Sequence, residues 1–311
     1  LSDPQHQGLT RRFLGVPWLF AIAYSAVGFS IYFSLGVVAD HGLGLTPVLF
    51  LVAGLLFVIA TMSYVEGGAM FLERGGSSTL ARHAFNEFVS FIAGWAILID
   101  YMIVIALAAV STPHYLGPIW GGVTHGVGEV LVAIAVIALV AFVNARGFTG
   151  QRREGFLVAL ALGDLLLQVI VIAVGALAVW NPDGLTAHLD LFSSPSLEDA
   201  VYALVIATVA FAGIEAASDL APDLRFRPGE LGRVVRSSAV LLPLIYAGMA
   251  AVALMALPVV GGPHGPHTEL GDRFVEEPVL GVVKSFDPAW LSSVMQIAVV
   301  AIAPATLVWA A

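Results

Sequence analysis

The feature that most constrains this chain is a succession of apolar stretches, each long enough to cross a bilayer as a helix, which takes roughly 20 residues. They fall at approximately 16–39, 47–65, 88–111, 127–143, 156–179, 200–220, 239–260 and 291–311. The stretches are continuous rather than alternating, which excludes a strand barrel. Of the 311 residues 59% are hydrophobic and only 11% charged. A soluble chain is nearer half apolar and a quarter charged, so the bilayer is the solvent here. The expectation is an all-α integral membrane protein with about eight spans.

Charge placement supports that count. Arg11, Arg12, Arg74, Arg82, Arg146, Arg152, Arg153, Arg225, Arg227, Arg233 and Arg236 all fall on one side of the alternating spans, and only Arg273 and Lys284 fall on the other. The positive-inside rule then puts the N-terminus in the cytoplasm, in a cell inner (plasma) membrane. A net charge of −9 argues against a nucleic-acid partner. The chain starts at Leu1 and its last apolar stretch runs to Ala311 with no basic stop after it. We therefore expect a fragment, trimmed at the start and cut within or just after span eight. Arg11 and Arg12 do not make a twin-arginine export signal: the following run is too long and lacks a small-residue cleavage site.

Several chemistries are disfavoured. There is no cysteine, hence no disulfide, thiolate metal site or cysteine nucleophile. The histidines lie in loops or at span ends, and no H-E-x-x-H occurs. No span carries a serine with a His or Lys base at depth. The sequence thus reads as neither an enzyme nor a cofactor protein. "GGSST", residues 75–79, lacks the Lys and preceding strand of a phosphate loop and reads as a turn capping a short helix. The two "GPH" units with His264 and His267 lack a third ligand in reach and read as a turn.

Two spans carry weak points. "VGFSI", residues 27–31, puts Gly28 and Ser30 near the middle of span one, and "FAGIE", residues 211–215, puts Gly213 at a like depth in span six. Glu215, Asp219 and Pro222 follow. Glycine is a poor helix former, and freed backbone groups in lipid cost several kcal/mol each unless they meet protein, water or a ligand. For Gly28 alone, close packing of a small residue is an adequate reading. Two breaks five spans apart favour another: an odd-numbered repeat inserted upside down, with a binding site at its paired broken helices. Half-helix N-termini favour a carboxylate and half-helix C-termini an ammonium, so such a pair suits an amino-acid zwitterion.

These stretches resemble the amino acid–polyamine–organocation (APC) superfamily of permeases. "VGFSIYFSLGVVA" (Val27–Ala39) is similar to its first-span pattern, where G-x-G-I-F is usual. "SYVEGGAMFLERGGSSTLARHAF" (Ser63–Phe85) is similar to its Y-x-E-[LG] end of span two and the loop after it. "GWAILIDYM" (Gly94–Met102) and "FAGIEAASDLAPDLRFRPGELGRVV" (Phe211–Val235) resemble its third and sixth spans. The resemblance implies a LeuT-type fold of two inverted five-helix repeats with broken first and sixth helices: spans one to five in residues 1–180, and an incomplete second repeat in 181–311. It implies a substrate site at Val27–Ile31, with the backbone of Gly28, Phe29, Ser30 and Ile31 holding a carboxylate. The carbonyls of Phe211, Ala212 and Gly213 would hold an amino group, and Phe211 and Ile214 would shape the side-chain pocket. Ser30 stands where the family has a second glycine, and we expect its hydroxyl to contact substrate.

Charges at depth are candidates for coupling. Asp100 is ~18 Å into span three at the helical rise, Glu215 follows the second break, and Asp164 shares a face of span five with Gln168. For Asp100 and Asp164 a structural role between helices is the competing reading. No Lys lies in any span, so a lysine ammonium cannot stand in for a bound sodium. The resulting expectation is a secondary active transporter moving an amino acid or related amine by alternating access. Its driver would be a proton or an exchanged solute in preference to sodium. The alternatives are a polyamine or nucleobase carrier, or a non-transporting receptor or scaffold on the same fold.

Overall fold

The computed structural model describes residues 20, 24–25, 27–71, 76–146, 151–186, 195–213, 228–262 and 265–310. Within them the chain is a helical bundle. After the first-span break come α1 (Ile31–Gly42) and, across a 3-10 turn, α2 (Thr46–Met70). A short α3 (Gly76–Ala84) leads into α4 (Glu87–Leu116), α5 (Gly126–Ala145) and α6 (Gln151–Ala178). Beyond the short α7 (Pro182–Thr186) lie α8 (Leu197–Val209) and α9 (Pro228–Ala256). A hairpin of β1 (Val260–Gly262) and β2 (Gly265–His267) precedes α10 (Glu269–Asp272), α11 (Pro278–Lys284) and α12 (Ala289–Ala310).

Six described stretches are long and apolar enough to cross a membrane. The first, Ile31–Gly67, is 37 residues long. At 1.5 Å per residue that is ~55 Å, too long for one crossing. Leu43, with φ +44°, turns the chain between α1 and α2, so the stretch holds parts of expected spans one and two. Spans three, four, five, seven and eight match α4, α5, α6, α9 and α12. Span six differs: only its first half, the 13-residue α8, is a described helix.

Local signals set the helix ends. Asn86 accepts the Val89 N–H at 3.0 Å to start α4, and Ser196 accepts the Asp199 N–H at 3.1 Å to start α8. The expected short helix after "GGSST" is α3, with Ser77, Ser78 and Thr79 inside its first turn rather than ahead of it. The expected plain turn at the "GPH" units is instead bracketed by an antiparallel hairpin pairing Val260 with His267; His264 lies outside the described residues.

The core is built around α9, where Leu242, Tyr246, Met249, Ala250 and Ala253 are fully buried. It packs tightly on α2 because Gly54 lets the Pro243 ring approach: a Cβ at Gly54 would stand 2.6 Å from Pro243 Cγ. The outer faces of α4 and α5 expose Phe91, Trp95, Met102, Ile134 and Phe142, the pattern expected of helices facing hydrocarbon.

Residues 269–286 seat against α1. A Cβ on Gly36 would lie 2.6 Å from Val275 Cα and 2.8 Å from its carbonyl carbon. Backbone cannot swing aside as a flexible side chain can, so Gly36→Ala must push this segment off the bundle, at a cost of about 1–3 kcal/mol. Gly163→Ala meets open space within 4 Å. Thermal unfolding of the full-length protein in detergent is expected to show a lowered transition for Gly36→Ala and an unchanged or raised one for Gly163→Ala.

Candidate functional site: two broken helices joined by buried tyrosines

The first span breaks where the sequence indicates. Val27 and Gly28 are helical, Phe29 and Ser30 form a turn, and Ile31 opens α1. The Ser30 N–H reaches only back to the Val27 carbonyl at 3.0 Å, a three-residue turn. The freed carbonyls are then taken up by side chains from other spans. Tyr246 of α9 donates its hydroxyl to the Val27 carbonyl at 2.5 Å. Gln168 of α6 donates Nε2 to the Gly28 carbonyl at 3.0 Å. The Tyr246 hydroxyl also stands within interaction range of the Ser30 side chain and of the Ser30 and Ile31 backbone. It therefore occupies the N-terminus of the second half-helix, the seat expected for a substrate carboxylate.

At the point where the sequence leads us to expect a break in span six, the end of α8 shows the same tightening. After α8, the Phe211 N–H bonds to Thr208 O at 3.1 Å and the Ala212 N–H to Val209 O at 2.9 Å. Gly213 follows at φ +114°, a conformation glycine adopts at little cost. Phe211 is buried, its ring 4.8 Å from that of Tyr246 and stacked on Phe57 at 5.2 Å. Phe50 completes the aromatic wall, 5.5 Å from Tyr246. Tyr246 thus touches the break in span one through its hydroxyl and the end of α8 through its ring. Ile214 and Glu215 lie outside the described residues.

Span five braces the first break. Asp164 is fully buried and accepts three hydrogen bonds: Tyr24 OH at 2.7 Å, Tyr32 OH at 2.6 Å and Gln168 Nε2 at 2.9 Å. Tyr24 precedes the break and Tyr32 follows it, so one carboxyl fastens both halves of span one. Asp164 and Gln168 do share a helix face, as their spacing of four requires. Thr306 of α12 stands beside the carboxyl. Tyr115 of α4 donates to the Tyr32 carbonyl at 2.8 Å, and its ring packs edge-on against that of Tyr32. Two buried polar atoms close to the break, Ser34 Oγ and Gln168 Oε1, have no hydrogen-bond partner among the described residues.

Asp100 stands apart from this cluster. It is half-buried on α4 and has no hydrogen-bond partner among the described residues. The sequence reading named Asp164 and Gln168 but missed Tyr24, Tyr32, Tyr115 and Tyr246. A signal existed: a tyrosine buried within a span must find an acceptor for its hydroxyl, and all four are fully buried.

The fold and this site define a multi-pass, all-α membrane protein whose buried polar groups converge on a break in its first span. The chain belongs to the amino acid permease family, whose profile matches residues 14–303. It is 24% identical over 298 residues to the branched-chain amino acid permease BcaP of Bacillus subtilis (strain 168), covering 88% of this chain and 59% of that protein. It is 19% identical over 275 residues to the methylthioribose transporter of the same organism, covering 83% of this chain and 58% of that protein. The glutamate/serine transporter AimA, also of B. subtilis, matches at 34% over 98 residues, 28% of this chain and 18% of that protein. The chain thus spans about three-fifths of the length of the first two relatives. The family is one of permeases, not enzymes.

Removing the Tyr246 hydroxyl takes away one of the two hydrogen bonds to the Val27 carbonyl and leaves that from the Ser30 N–H, which costs about 0.5–1.5 kcal/mol. Tyr246→Phe is expected to lower the thermal transition of the full-length protein. Val259→Ala is expected to lower it without touching substrate binding, whereas Tyr246→Phe is expected to change both. Calorimetric titration with candidate amino acids checks the difference.

Proposed function

We propose that the full-length protein is a secondary active transporter. It moves an amino acid or related amine across the cell's inner membrane by alternating access, with a cytoplasmic N-terminus and inverted repeats in residues 1–180 and from 181 onward. The observation that carries this reading is Tyr246, which joins the two helix breaks. In our reading its hydroxyl holds the carboxylate seat in the closed, empty site. Substrate carboxylate then replaces it at the backbone of Gly28, Phe29, Ser30 and Ile31, while the carbonyls of Phe211, Ala212 and Gly213 take the amino group. The Phe50, Phe57 and Phe211 wall favours an apolar side chain, in keeping with the branched-chain substrate in the name of BcaP. Methylthioribose, named for the second relative, is the competitor to include.

Asp164 is our choice for the proton carrier over Asp100 and Glu215. Ionised, it accepts two tyrosine hydroxyls and an amide. A proton on one oxygen turns that oxygen into a donor, so the tyrosine facing it, Tyr24 or Tyr32, must give up its own donated bond and either accept instead or turn away. Because those tyrosines sit on opposite sides of the break, proton binding loosens one half of span one from span five. That is the coupling an alternating-access carrier requires.

Uptake and counterflow by full-length protein in proteoliposomes test the reading. We expect saturable uptake competed by apolar amino acids, and for Asp164→Asn a loss of uptake driven by a pH gradient with exchange retained. Absence of both amino-acid binding and counterflow would sink the transporter reading. An Asp164→Asn variant that keeps gradient-driven uptake would sink the proton role alone. Ser30→Gly is expected to weaken substrate affinity, read by competition binding.

A further inference from the structure

At the end of α4 remote from α3, an open cleft of about 470 Å³ lies between the ends of α4 and α5 and the segment before α11. His114, in the last turn of α4, sits in its wall with only 9% of its side chain exposed. Its Nε2 is 3.0 Å from Glu276 Oε2, in the segment that follows α10, and 3.6 Å from Glu129 Oε1, in the first turn of α5. The approach to Glu276 is that of an ion pair, without the alignment of a hydrogen bond. One imidazole therefore lies between carboxylates of two other elements.

The remaining charged groups at the cleft are Arg273, Glu277, Lys284 and His125. Lys284 is committed to Glu277 at 2.7 Å. Arg273 lies over the Phe274 ring, 5.2 Å from its centroid. With both histidines neutral, three carboxylates, Glu129, Glu276 and Glu277, face two fixed cations. Protonation of His114 closes that difference at the point where Glu129 and Glu276 converge. Glu276 is itself more than half exposed, so its carboxylate can leave for water when the imidazole is neutral.

We infer that His114, Glu129 and Glu276 form a protonation-dependent clamp that holds the 272–277 segment over this cleft. The clamp closes when His114 is charged, which draws Glu276 and Glu129 together. It opens as pH rises and the imidazole loses its proton, because two carboxylates then converge with no cation between them. Histidine is the side chain whose charge ordinarily changes near pH ~6.5, within the range a cell surface meets. Pro113 precedes His114 and removes one N–H from the α4 hydrogen-bond ladder, while Tyr115 anchors this end of the helix to Tyr32, so it is the exposed Glu276 that moves. The inference does not rest on the transport reading, since it concerns the position of a segment and not the passage of a substrate.

These 311 residues contain no cysteine, so the test is direct once any cysteine outside them is replaced. Spin labels placed through Ile119→Cys and Asp272→Cys in the full-length protein report the distance across the cleft by pulsed electron resonance. Neither position belongs to the clamp. Between pH ~5.5 and ~8, which bracket histidine titration, the ratio of long to short distances is expected to rise by roughly fivefold or more, the usual size of such a coupling. His114→Gln and Glu276→Gln in the labelled background are each expected to abolish the change, and His125→Gln to retain it. An unchanged distance distribution in the labelled parent overturns the clamp. So does a His114→Gln or Glu276→Gln protein with the parent's pH response, or loss of the response in His125→Gln alone. If His114→Gln does not fold, Glu276→Gln, at an exposed position, decides the matter.

Discussion

The structure turns on what becomes of the Val27 and Gly28 carbonyls. A helix broken inside a membrane frees backbone groups that lipid cannot satisfy, and each costs several kcal/mol if left bare. Here Tyr246 reaches Val27 from α9 and Gln168 reaches Gly28 from α6. Those two bonds fix where α6 and α9 can lie against span one. They also explain why one face of α9 is deeply buried and why α6 turns Asp164 and Gln168 inward. A break that would unravel an isolated span becomes the point on which three spans converge.

In the proposed function the same arrangement gives the break two alternative partners. A hydroxyl at the start of the second half-helix stands where a carboxylate would also be favoured. Exchange between an internal group and a bound one is a physical route from ligand to conformation, because each satisfies the backbone with a different connection to the rest of the bundle. Asp164 adds a second such point. It grips the halves of span one through Tyr24 and Tyr32, so its ligation state bears on the two halves together.

Much of this was legible in the sequence. The apolar runs locate the helices because hydrocarbon permits little else, and the glycines at 28 and 213 mark the break in span one and the end of α8. The Asp164–Gln168 spacing puts both on one face. The aromatic partners were not legible. Tyr24, Tyr32, Tyr115 and Tyr246 look like four more amphipathic aromatics in apolar runs, and nothing local says which way each ring points. Asp100 and Asp164 look alike for the same reason: each is one acid in an apolar helix. Only the packing of α6 against span one and of α4 toward the outside separates them. The hairpin at residues 260–267 was also missed, since its strands are three residues each and carry no alternating pattern to read.

The sequence by itself determined the class of protein, the approximate place of its long apolar helices, and the points near Gly28 and Gly213 where regular helix stops. These follow from composition and backbone chemistry along the chain. The tertiary structure alone decided what satisfies the broken backbone, which acid lies at the centre, and that His114 stands between Glu129 and Glu276. Each of those depends on side chains drawn from distant segments. Tyr24 and Asp164 are 140 residues apart, and Val27 and Tyr246 are 219 apart. Such pairs exist only once the spans have packed, because no periodicity in a single helix encodes the partner it will meet on another.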